Sequence, residues 1–302
     1  MTNKLFFCYN SVNIGLSAGR LIMRIKNIQG KELLTLQADT LKGADLRGIN
    51  LRWADLTSMD LAGADLSEAD LSWADLCGAN LAEANLAGAE LRGVNLTEAN
   101  LKGVNLEGVC LSGVSLRGMD FTGADLRLTD LRWTDLRGAD LSEVNLTGAK
   151  LRGVDLTEAN LKGVNLEGVC LSGVSLRGAD LSGANLSGTD LSGADLRWTI
   201  LTEANLTKAD LTEADLTGAN LRGANLPKEV VYVEGVGWRW SAIVMYGYIR
   251  IGCQYHPIEA WDAFNDDEIA NMHENALDFW QANKQQIMTI ARATQAQSTE
   301  TA

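Results

Sequence analysis

The chain has 302 residues, 46% hydrophobic and 22% charged, and its 39 acids against 26 Lys and Arg give a net charge of −13. That sign is wrong for direct contact with nucleic acid phosphates or anionic lipid, and 30 Gly beside only two Pro exclude collagen-like and Pro-rich disordered chains. No apolar run approaches the roughly 18 residues that cross a membrane, and five Cys in no short paired spacing make no disulfide framework, so a reducing, cytoplasmic setting is expected.

Residues 1–35 carry five bases against one acid. Residues 1–22 are expected to be poorly ordered. Leu5–Leu21 is mildly apolar after Lys4 and reads either as an export signal, interrupted by Asn10, Ser11, Asn13 and Ser17, or as sequence ahead of a true start at Met23. Residues 23–36 read as a capping β-hairpin. Met23-Arg-Ile-Lys-Asn-Ile alternates like a strand, Gln29-Gly30-Lys31 turns, and Leu33-Leu34-Thr35-Leu36 returns.

Residues 37–226 are governed by a period of five. From Leu41 to Leu226 every fifth residue is Leu, thirty-eight positions with Phe121 as the one exception. Calling this residue i, position i−2 is nearly always Ala or Val, i−1 is usually Asp or Asn, and i+2 is mostly Gly, Glu or Ser. On an α-helix five residues turn about 500°, so the leucines would spread around the axis. On a continuous strand an odd period sends them alternately up and down. A three-residue extended piece followed by a corner at i+1 and i+2 buries them all: Ala and Leu point inward, Asp or Asn outward, and Gly supplies a corner with φ > 0. Four sides close a square, so one coil takes 20 residues, and thirty-eight sides make a rod about 45 Å long at the β spacing of about 4.8 Å. Leu46, Leu66, Phe121 and Leu136 are expected to stack in its core. The stretch 92–118 recurs at 152–178 with the single change of Asn95 to Asp155, an offset of 60 residues or three whole coils. Cys110 and Cys170 form one such pair, about 14 Å apart and too far to bridge. Freely copied sequence of this kind reads as a surface rather than a catalytic vessel.

The unbroken A-[DN]-L-x-G pattern closely resembles the pentapeptide-repeat family over about three-fifths of the chain. The resemblance implies an all-β solenoid, a right-handed quadrilateral β-helix of about nine to ten coils. It also admits a phage, prophage or bacterial member carrying an extra C-terminal module.

Outward positions fall into four faces. One row, Asp55, Asp75, Asn95, Ser115, Asp135, Asp155, Ser175, Asp195 and Asp215, is the most acidic, though Arg117, Arg137, Arg177 and Arg197 interrupt it. Another is largely an Asn ladder. Solubility accounts for such rows; the alternative is a DNA mimic, because some members of the resembled family present DNA-like surfaces to gyrase. Trp53, Trp73 and Trp133 share an i+2 column where Gly is usual, with Trp198 on the neighbouring side. They are candidate anchors for a protein partner, or else a self-covering aromatic ladder.

After Pro227 the composition changes: residues 227–302 hold four of the eight Trp and four of the five Tyr. Residues 227–292 read as a small α+β module, with strands at Val230–Val233, Trp238–Val244 and Tyr248–Gly252 and one helix from an Asn265 N-cap to about Ala291. Residues 293–302 read as a frayed tail. Cys253 and His256, in C-x-x-H spacing, are weak metal candidates, with Glu259 and His273 nearest. A buried Cys and a capping His is the plainer reading, and no oxyanion turn accompanies the pair. The sequence thus describes a non-enzymatic binding or scaffold protein with no cofactor. Its partner is another protein of unknown identity, with homodimerisation through the C-terminal module as a further option, and with no direct nucleic acid contact and no membrane insertion.

Overall fold

The computed structural model describes residues 13–17, 20–36, 40–227, 230–234, 241–245, 248–251, 254–272 and 276–300. From Leu41 onward the chain winds as a right-handed quadrilateral β-helix. Most i−1 residues form a parallel bridge to the residue 20 positions later, as in Asp45–Asp65, Asn85–Asn105 and Asp195–Asp215. Three hydrogen bonds repeat at most sides. Leu46 N donates to Asp65 O at 2.8 Å and Asp65 N to Ala44 O at 2.9 Å, joining coils, while Ala44 N donates to Leu41 O at 3.0 Å, closing the corner. The third residue of that turn must be left-handed, and φ at Gly43 is +66°.

Leu at i and Ala or Val at i−2 make one continuous core; Leu46, Leu66, Phe121 and Leu136 are all buried in it. Where Thr replaces Ala, its hydroxyl finds an internal acceptor. Thr129 Oγ1 donates to Leu106 O and Thr134 Oγ1 to Leu111 O, each at 3.0 Å, so no buried hydroxyl is left unsatisfied there.

The N-terminal end is closed by a three-stranded antiparallel sheet, β1 (Asn13–Ser17), β2 (Arg20–Lys26) and β3 (Glu32–Leu36). The β2–β3 hairpin matches the sequence expectation. Residues 13–17 and 20–22, expected to be poorly ordered, instead extend the sheet by one strand, with Asn13 opposite Arg24 and Ser17 opposite Arg20; residues 1–12 lie outside the described ones. Beyond β2 the chain docks on the rod: Asp55 N donates to Lys26 O at 2.8 Å, Ile28 N donates to Trp53 O at 2.9 Å, and Ile25 is buried in the rod's core.

At the other end stand β4 (Val230–Glu234), β5 (Ser241–Met245), β6 (Tyr248–Ile251) and β7 (Gln254–Pro257), an antiparallel sheet in chain order. Alternation splits its residues between two cores. Val230, Ile243 and Met245 join the rod's core, whereas Ala242, Val244, Ile249 and Ile251 pack with Trp261, Phe279, Trp280 and Ile287 of the helices. The sheet is therefore a lid on the last coil with helices on its back.

Three features of this end differ from the sequence expectation. The single helix is three: α1 (Ile258–Ala263), α2 (Asp266–Ala270) and α3 (Ala276–Glu300). Asn265 caps α2, and the capping box with Glu268 begins a new helix there rather than the main one. Strand β7 was not anticipated, and α3 continues to Glu300 through the stretch expected to fray. Trp238 to Trp240, expected in a strand, lie outside the described residues.

Candidate binding surface

The six aspartates singled out in the acidic row all have local work. In each corner the i−1 side chain accepts the backbone N–H of i+1, an Asx turn that satisfies an amide the square leaves over. Thr57 N donates to Asp55 Oδ1 at 3.2 Å and Cys77 N to Asp75 Oδ1 at 3.0 Å. Asp155 and Asp215 also take the hydroxyls of Thr157 and Thr217, both at 2.6 Å. Asn95 Nδ2 donates to Asp75 Oδ1 at 2.9 Å, and at Asp135 and Asp195 the charge is met by arginine. Arg137 donates from Nε at 2.8 Å and Nη2 at 2.6 Å to Asp135, and Arg197 does the same to Asp195. These guanidiniums hold both carboxyls below the usual carboxylate range. At the rod's end, Arg250 on β6 donates from Nη1 to Asp215 Oδ1 and to Thr217 Oγ1, each at 2.6 Å, with its guanidinium 4.7 Å from the centre of the Tyr255 ring.

The Asn ladder forms in part, with Asn105 Nδ2 donating to Asn85 Oδ1 at 3.0 Å and Asn205 to Asn185 at 3.2 Å. Short ladders of the same kind, such as Asn100 to Asn80 at 3.0 Å, occur on a second face.

The tryptophans sit at corners in the left-handed conformation, with φ between +60° and +63°. Each leans along the rod axis over the i+2 position of the next coil. Trp53 therefore stacks on Trp73, with ring centroids 5.4 Å apart and planes at 10°. Trp73, Trp133 and Trp198 cover Gly93, Gly153 and Gly218, where a Cβ would lie 2.3–2.4 Å from the nearest ring carbon. Left-handed geometry costs a non-Gly residue about 1–2 kcal/mol, and burying about 100 Å² of indole returns about 2.5 kcal/mol, so the contact with the next coil offsets the strain. Much surface still remains in solvent: Trp53 is 43% exposed, Trp73 40%, Trp133 63% and Trp198 61%, and Leu128, in the same kind of corner, is 59% exposed.

Apart from the stacking of Trp53 on Trp73, the pairing is legible in the sequence. Leu128/Gly148, Trp133/Gly153, Glu158/Gly178 and Trp198/Gly218 each place a side chain 20 residues ahead of a glycine.

Cys253 and His273 lie outside the described residues. His256 bonds to Gln254 Oε1 at 3.1 Å and meets Trp261 and Phe264 edge-on. Among the described residues no group of His, Cys, Asp and Glu is arranged to hold a metal ion, and none of the helices is long and apolar enough to cross a membrane. Cys77 is buried, Cys110 and Cys170 are exposed, and all three are unbridged.

Comparison with known proteins adds a family. The model for pentapeptide repeats matches in eight copies over residues 44–81, 79–118, 111–142, 139–178, 179–218 and 189–227. Among solved structures, HetL, a pentapeptide repeat protein involved in heterocyst differentiation regulation from the cyanobacterium Nostoc sp. strain PCC 7120, is 35% identical over 62% of this chain and 92% of its own, with a TM-score of 0.33. A pentapeptide repeat protein from the Arabidopsis thaliana thylakoid lumen is 32% identical over 32% of this chain and 68% of its own, with a TM-score of 0.21. Full-length QnrB1, a plasmid-mediated fluoroquinolone resistance protein, is 22% identical over 61% and 89%, with a TM-score of 0.26. No curated protein matches the chain.

Proposed function

The chain belongs to the pentapeptide-repeat family, and from that membership we propose that it is a non-enzymatic, protein-binding scaffold whose docking surface is the tryptophan-bearing side of the rod. One observation carries this reading. Trp53, Trp73 and Trp133 keep large exposed areas in a single column, beside Arg52, Arg92 and Arg132. Trp and Arg together are the residues that dominate binding at protein interfaces. The unbridged Cys77, Cys110 and Cys170 fit a reducing compartment such as the cytoplasm.

The DNA-mimic alternative, with gyrase or another DNA-binding protein as target, draws less support. A mimic needs carboxylates free to face a partner's cations, and those of Asp135, Asp195 and Asp215 are already held by Arg137, Arg197 and Arg250. The reading is tested by replacing Trp53 and Trp73 with Gly, which restores the usual corner residue. Partners captured by the wild type from its native host should be lost. Retention of every partner by the double variant would refute the docking surface, and inhibition of a topoisomerase by the intact rod would restore the mimic.

A further inference from the structure

The tryptophan side differs from the other three in charge, in the placement of its bulk and in symmetry. Its outward residues comprise six acids and five bases, whereas the side carrying Asp135 has eight and four. A chain of net −13 meets a like-charged surface at least cost where its own charges balance.

Bulk on this side is graded along the rod. The first coils carry Trp53 and Trp73 with Arg52 and Arg92 balanced by Asp70 and Glu90; the late coils carry Gly173 and Gly193 with Asp190, Asp210 and Glu213. Over Gly173 and Gly193 a Cβ would meet nothing within 4 Å, so that end is flat. Halfway between Leu41 and Leu226, one coil places exposed apolar side chains at both corners of the side, Leu128 and Trp133. Between them Arg132 and Asp130 neutralise each other, with Nη2 2.6 Å from Oδ2.

Bulky and charge-balanced at one end, flat at the other and apolar at the midpoint is the pattern of a surface whose shape is complementary to itself. Resting on the docking reading above, we propose that the occupant of this side is a second copy of the chain, packed antiparallel about a twofold axis that crosses the Leu128–Trp133 coil. In that register Trp133 meets its own counterpart and Trp73 fills the flat ground at the partner subunit's Gly193. A strip about 45 Å long and about 18 Å wide, three extended residues plus the corner side chains, gives about 800 Å² per protomer, the size of a standard stable interface. The C-terminal sheet is a weaker place for dimerisation, since one face lies on the rod and the other on the helices.

The test is the mass of the intact chain by light scattering at about 50 µM, in the range where interfaces of this size associate. Twice the protomer mass of 32.5 kDa is expected. Leu128→Lys with Trp133→Arg should halve it while leaving the circular dichroism spectrum unchanged, and Trp198→Arg, on another side, should leave the dimer intact. The register has its own readout. Lys150→Cys, combined with Cys170→Ser to remove the neighbouring thiol one coil on, falls opposite the partner subunit's Cys110, so mild oxidation should yield a disulfide-linked dimer that Cys110→Ser abolishes. A monomeric wild type, a dimer that survives the Leu128/Trp133 variant, or a dimer that Lys150→Cys with Cys170→Ser fails to cross-link would each overturn the proposal. A monomer that still captures a different protein through Trp53 and Trp73 would overturn the dimer and leave the docking reading standing.

Discussion

The lean of each corner side chain over the next coil can be measured by adding one carbon. Gly113 and Gly153 belong to the same column and have nearly the same backbone, with φ of +72° and +71°. Replacing either by Ala incurs the left-handed penalty, about 1 kcal/mol. At Gly113 the new Cβ meets nothing within 4 Å, whereas at Gly153 it lands 2.3 Å from Cε3 and 2.4 Å from Cζ3 of Trp133. The indole must give way, and overpacking of this kind adds about 1–3 kcal/mol. Gly113→Ala should therefore cost about 1 kcal/mol and Gly153→Ala about 2–4 kcal/mol, each kcal/mol lowering Tm by about 2–4 °C. Trp133→Gly removes the obstacle, so in the double variant Gly153→Ala should fall back to the cost seen at Gly113, a coupling of about 1–3 kcal/mol. Urea unfolding followed by circular dichroism at about 1 µM, where association contributes little, measures all four variants. Equal costs at Gly113 and Gly153, or strict additivity with Trp133→Gly, would refute the lean.

Leu136→Lys should cost about 3–5 kcal/mol by leaving a charge without a partner in the core; an unchanged thermal midpoint would contradict the inward assignment of the leucines. Arg250→Met should loosen the lid from the last coil by removing the ion pair to Asp215 and the bond to Thr217, at about 1–3 kcal/mol. Limited proteolysis reads this as faster cleavage after Pro227, and an unchanged pattern would remove Arg250 from the junction. Arginine two residues on lowers the Asp45 carboxyl to about 2 and holds those of Asp125, Asp130, Asp135 and Asp195 below their ordinary value. Groups depressed on folding stabilise the protein above the unfolded value, about 3.9, and lose that contribution as pH falls through the folded values. The thermal midpoint should therefore be flat from about pH 8 to 5 and fall below about pH 4; a decline beginning near pH 6 would point to other groups.

How far the sequence could be read depends on the range over which each feature is decided. Leu at every fifth position, small residues at i−2 and glycine at i+2 specify buried, half-buried and left-handed positions one repeat at a time. The square coil, its core and the β2–β3 cap followed from those residues alone, because one repeated local pattern admits only one way of burying all the leucines. The carboxylates were legible as outward but not as occupied. Asp135 is tied to Arg137 only because the corner turns the i−1 and i+1 side chains to the same side, and Asp215 meets Arg250 across 35 residues of intervening chain. The C-terminal lid lay beyond local reading for the same reason. Its strands alternate plainly, but that Ile243 belongs to the rod's core and Val244 to the helices' depends on which face the last coil covers. Between these extremes lies the glycine 20 residues after most bulky corners, Trp73, Leu128, Trp133 and Trp198 among them. It was written in the sequence throughout, yet it acquired a meaning only once stacking had brought Trp133 over Gly153, because a contact between coils is a fact of register, which no single repeat contains.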